Sequence, residues 1–212
     1  MKQFFKHTLS LSLTLIMLAS VSASVSAQSD TNSTIKPQKT SFVGLIEQLK
    51  FTDFLFGGRQ SVSAVVVKED GQRVVLNISK NTILVDHATA ESVKTKRLED
   101  GQTIFAAHSV DAPITSGEPP SLSPQVVVIL NESSTAKIKF DSFDTSGLSS
   151  DGSLKITLTE QTKITDKHNK SVELNDALNK ELLVFFEELT ISSQGDAPQT
   201  IPTRVIVVEN AR

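Results

Sequence analysis

The chain has no cysteine, no tryptophan and no tyrosine, and only two methionines. Without cysteine there is no disulfide to brace the fold, and no thiol after an export segment to carry a lipid, so stability must come from packing. Sugar-binding platforms and interfacial membrane belts are built largely from Trp and Tyr, whose rings carry a polar edge. Their absence argues against both, and the 11 aromatic residues, all Phe, read as core. Charge of one sign is scarce too. The formal charge is −3 and no basic run occurs, which makes nucleic acid or anionic lipid a poor electrostatic partner. No stretch after the N-terminus is apolar over the roughly 20 residues a bilayer crossing needs, so no stable membrane insertion is expected.

What is present begins with an address. Lys2 and Lys6 precede an apolar run over residues 9–18, and Val25-Ser26-Ala27 offers small residues to a peptidase. This is the pattern of a secretory signal peptide, residues 1–27, cleaved near Ala27. The apolar run is too short for a membrane helix. Its removal leaves 185 of the 212 residues and takes the formal charge from −3 to −5. The product is expected outside the cytoplasm, secreted or in the cell envelope. The C-terminal VIVVENAR carries neither an apolar tail nor a sorting motif, so covalent wall attachment is not expected. Residues 28–40 are polar and read as a flexible lead-in.

The rest is organised by a repeat with a period of about 80 residues, and such periods decide an architecture. RVVLNISKNTILVDH at residues 73–87 returns as SLKITLTEQTKITDKH at 153–168; Thr82 and Thr162, Asp86 and Asp166, and Val127 and Val207 stand 80 apart. Each copy goes on through a connector to an apolar run (103–109; 182–191), a Pro-rich loop (111–124; 194–202) and a closing β-branched run (125–130; 204–208). Asp70-Gly71 between two β-branched runs, VSAVVVK and RVVLNIS, signals a hairpin. At Asn81-Thr82 and Gln161-Thr162 the pattern predicts bends in which Thr and Asp side chains bond nearby backbone. Leu182 to Ile191 reads as a strand, its first five residues all apolar, which predicts burial on both faces for part of its length; a helix is the competing reading. Gly101 suits a tight turn before residue 103. Glu181 stands 80 residues on, so the second copy's turn is expected to differ. The fold class expected is all-β: two tandem small five-stranded barrels, residues 41–132 and 133–212, each with a short connecting helix or turn.

The residues Asn81-Thr82, Leu98 to Gly101, Thr115-Ser116, Pro119-Pro120 and Val126 to Val128 resemble small β-barrel (OB-like) repeat domains of secreted bacterial proteins of unknown function. Some of those domains accompany copper amine oxidase-like domains. The likeness covers about 60 residues of the first copy well and the second only in part. It implies a fold and carries over no catalytic or metal residue.

Chemistry is sparse. Each repeat places an acid and an imidazole at one bend, Asp86 with His87 and Asp166 with His168; these are plausible zinc or copper ligands. Their spacing matches no recurring metal motif, and ordinary turn residues are the plainer reading. Asp141, Asp144 and Asp151 lie in a Ser/Gly-rich loop without the rhythm of a calcium loop. No nucleophile elbow, Ser-x-x-Lys pair, phosphate loop or dinucleotide fingerprint occurs. A hydrolase with a dispersed site is the other alternative. Phe51, Phe54, Leu55 and Phe56 form the most apolar loop, which either covers core or meets another envelope or secreted protein. The leading expectation is an exported, non-enzymatic binding or structural protein that needs no cofactor.

Overall fold

The computed structural model describes residues 39–52, 61–190 and 197–210. The first half contributes β1 (Lys39–Thr52), β2 (Ser61–Lys68), β3 (Arg73–Ile78), β4 (Ile83–Asp86), β5 (Glu91–Ser92), β6 (Thr103–Ser109), β7 (Ser121–Leu122) and β8 (Val126–Ile129). The second contributes β9 (Lys137–Phe143), β10 (Lys155–Ile156), β11 (Lys163–Asp166), β12 (Lys180–Phe186), β13 (Gln199–Thr200) and β14 (Arg204–Asn210). The only helical turns among the described residues are 3₁₀, at Thr95–Arg97 and Leu174–Asp176. The all-β class is therefore observed. No helix among those residues is long and apolar enough to cross a membrane.

The barrel expectation needs correction. The first half is one open sheet, ordered β5-β4-β8-β6-β1-β2-β3-β7, and the second is a four-stranded sheet, β11-β14-β12-β9, with a separate pair, β10-β13. None closes on itself, and the halves hold eight and six strands rather than five each. The cause lies in the prolines and the bends. Proline cannot donate to a ladder, so Pro124 divides the closing segment into β7 and β8, and Pro202 divides β13 from β14. β7 runs parallel to β3 and β8 parallel to β4. The two ends of the first sheet are thus joined by continuous chain, through the β3–β4 bend and through Pro124. β10 with β13 and β11 with β14 repeat the arrangement.

Both bends are built alike. Thr82 Oγ1 accepts from Ser79 N (3.2 Å) and donates to Pro124 O (2.9 Å). Thr162 Oγ1 accepts from Thr159 N (3.2 Å) and donates to Pro202 O (3.0 Å). Beyond the bends the spacing slips. Ile104 pairs with Ile129 in β8, and Leu182 pairs with Val207 in β14. Val127 faces Leu84 as Val205 faces Ile164, so the counterpart of Val127 is Val205 and not Val207. An even slip of two keeps every side chain on its face. It also corrects the turn before β12. The counterpart of Gly101 (φ +84°) is Asn179 (φ +60°), the residue that best tolerates the left-handed region after glycine.

Alternation along the strands builds three cores. Leu76, Leu84, Ile104 and Val127 pack inside the first half. Leu154, Ile164, Leu182, Val184 and Val205 pack inside the second. The opposite faces of the same strands meet between the halves: Val85, Phe105, Val126 and Val128 against Phe140, Leu183, Phe185 and Ile206. β8 throughout and β12 from Leu182 to Phe186 are apolar at every position because each serves two cores.

Candidate functional site

The two acid–imidazole bends lie in unlike surroundings. At the end of β4, Asp86 Oδ1 accepts from Ala88 N (2.9 Å) and Thr89 N (3.3 Å), while Oδ2 meets the Arg97 guanidinium at 3.3 Å. Its carboxylate is committed to its own turn. His87 turns the other way and is buried. Its Nε2 lies 2.8 Å from the Ala136 carbonyl, and Asn131 N points at Nδ1 from 3.4 Å. A carbonyl only accepts, so a tautomer with its hydrogen on Nε2 satisfies both contacts. The ring sits 6.2 Å from that of Phe185, tying the linker between the halves to the shared core.

At the end of β11, Asp166 Oδ1 accepts from His168 N (2.8 Å) and Lys170 N (2.9 Å). Burial acts to raise the Asp166 pKa, but these amides, with the charges of His168 and Lys170, outweigh it and hold the carboxyl below its usual range. The His168 side chain is exposed, unlike that of His87. The structure therefore brings neither pair into a shared ligand set. Among the described residues no three His, Asp or Glu groups converge to hold a metal ion.

The acidic loop also has an internal use. Lys139 Nζ bonds the Asp151 carboxylate and Ser153 Oγ (2.8 Å) and lies 3.7 Å from Asp141. Asp141 is buried and takes Ser142 N (2.8 Å) and Ser150 Oγ (2.6 Å). An ammonium group stands where a bound cation would sit. Asp151 is thereby held well below the usual carboxylate range: its partial burial is outweighed by Lys139 and by Ser153 and Ser149.

Phe51, near the end of β1, is 45% exposed, whereas Phe54, Leu55 and Phe56 lie outside the described residues. The other large apolar side chains in the open among the described residues are Leu45 within β1, Leu174 in the second 3₁₀ turn, Val110 just before and Ile114 within the first Pro-rich loop, and Leu189 before and Ile201 within the second.

Polar contacts across the seam escaped the sequence reading. Lys39 Nζ pairs with Glu181 Oε1 at 2.6 Å, both side chains almost wholly buried, with Gln125 completing the set. The Asn169 side chain bonds Ser92 N (2.9 Å) and Ser92 O (3.3 Å), reading the edge of β5 as a strand would. Glu91 meets Lys163 (3.4 Å) and Arg204 (3.6 Å), and Arg204 donates to Thr89 O (2.9 Å). Nothing local marks such pairs, since their partners lie 56 to 142 residues apart. Comparison of the chain with protein-family models gives no match, and neither does comparison with curated proteins.

Proposed function

We propose that this is an exported, non-enzymatic binding or structural protein of the bacterial envelope or medium, made of two tandem β units, whose loops meet another exported protein. The repeat reading is supported by the identical hydrogen bonds at the Thr82 and Thr162 bends. The observation that carries the function is where apolar surface is left in the open. Of the seven large exposed apolar side chains among the described residues, Phe51 lies at the end of β1 and Val110, Ile114, Leu189 and Ile201 lie in or beside the Pro-rich loops, while Leu45 and Leu174 lie elsewhere. Isolated exposed apolar residues are ordinary, but four of them in or beside loops held semi-rigid by proline suit contact surfaces.

The test pairs two double variants, Val110→Asp with Ile114→Asp and Leu189→Asp with Ile201→Asp. Cross-linking in the exported fraction should capture a partner with the parent protein and lose it with at least one variant. Surface substitutions of this kind change stability by only about 0.5 kcal/mol, so the melting temperature should hold. Capture undiminished in both variants, or a large fall in melting temperature, would refute the loop-contact reading. N-terminal sequencing of the exported protein should begin at Gln28, and a retained Met1 would remove the export claim.

A further inference from the structure

Between the bend after β3 and the second half's turn after β11 lies an open cleft of about 510 Å³. Its polar lining is Lys80, Asn81, Thr82, Ser92, Lys167 and His168, and Ile83, Leu84 and Val93 supply apolar wall. The two lysines come from different halves of the chain, so the cleft exists only because the halves are packed together.

The charge balance around it is lopsided. Lys39, Lys139 and Lys163 each face a carboxylate. Lys80 and Lys167 make no ion pair or hydrogen bond among the described residues. No acid lines the cleft, and the two that adjoin its lining in sequence are already engaged, Asp166 by the His168 and Lys170 amides and Glu91 by Lys163 and Arg204. In the same wall, Ser92 Oγ is buried and has no hydrogen-bond partner, although a buried hydroxyl ordinarily finds one. Two uncompensated ammonium groups at a concave surface concentrate positive potential, and do so against the grain of a chain whose formal charge is −3. The Asn81 amide and the His168 ring add N–H donors beside them, which suits a group with several acceptor oxygens.

We propose that this cleft is a binding site for a compact oxyanion, a phosphate or a carboxylate group, held by Lys80 and Lys167 across the seam. The site is separate from the loop surface above, since none of Val110, Ile114, Leu189 or Ile201 lines it.

The experiment is an amide NMR titration of the purified protein at low ionic strength, with inorganic phosphate in one arm and citrate in the other, and uncharged glycerol as control. Saturable shifts are expected at residues 80–84, 92–93 and 167–168, weakening as sodium chloride is raised. The arm that saturates identifies the source of the anion. Lys80→Ala with Lys167→Ala should lower affinity at least tenfold. Lys50→Ala with Lys137→Ala, which removes two exposed lysines away from the cleft, should leave it unchanged. All four positions are exposed, so both variants should fold, and their melting curves check this. Shifts scattered over the surface, no saturation in either arm, or equal affinity in the two double variants would overturn the site.

Discussion

At position 39 an ammonium group is removed from water almost entirely. The Lys39 and Glu181 side chains are 3% and 7% exposed, and the ammonium also lies 5.4 Å from the centre of the Phe140 ring. Burying two charges costs each its hydration, and their attraction repays that cost only while both are present. Glu181→Ala should therefore cost about 3–5 kcal/mol in urea unfolding, while Lys39→Met with Glu181→Leu should fall within about 1 kcal/mol of the parent. A single variant that unfolds at the parent's midpoint would show that the pair is solvated. The opposite sign is expected at Thr165 in β11. Thr165 is 3% exposed and its Oγ1 has no partner. Exchanging a buried, unbonded hydroxyl for a methyl of the same shape removes a desolvation penalty of about 1–3 kcal/mol. Thr165→Val should raise the melting temperature by roughly 2–4 °C, the shift expected of about 1 kcal/mol in a domain of this size. A lower melting temperature would mean that the hydroxyl is satisfied in solution.

At the scale of the element, sequence legibility followed local pattern. The β2–β3 hairpin was legible because Asp70-Gly71 acts within four residues, and the bends were legible because Thr82 and Thr162 bond backbone three residues away. β12 was legible from its composition. Leu182 and Val184 face one core while Leu183 and Phe185 face another, so the strand was read correctly over its apolar start, but it ends at Phe186, before the Glu187-Glu188 pair that the expected strand ran through. Strand closure was not legible, because it depends on which edges bond. The short strands β7 and β13 owe their partners to parallel pairing across 46 or 44 residues. The fixed offset of 80 failed for a related reason. Residues were lost in the connector before β12, and only ladder register shows that Asn179 replaces Gly101. Of the candidate site residues, Asp86 and Asp166 were correctly placed at bends. That His87 would be buried and His168 exposed depended on which face packs against the other half.

For the whole molecule the decisive feature is that strand pairing never crosses between the halves among the described residues, yet an apolar core does. Hydrogen bonding alone would suggest two independent units. The buried surface suggests the reverse. Separating the second half would expose Phe140, Leu183, Phe185, Ile206 and Val208 together. Each such side chain forfeits roughly 1.5–3 kcal/mol when returned to water, so the loss is on the order of 10 kcal/mol. That is comparable to the entire stability of a typical domain, about 5–15 kcal/mol. It would also strand the Glu181 charge without Lys39 and leave Arg204 without Thr89 O. Residues 133–212 expressed alone should therefore lack a cooperative thermal transition and bind a hydrophobic dye, while the intact chain should melt in one transition seen alike by circular dichroism and calorimetry. A second half that folds alone with a melting temperature near that of the intact chain would show that the shared core contributes little. The same result would leave the cationic cleft without a fixed geometry, since Lys80 and Lys167 are held near each other only by this contact.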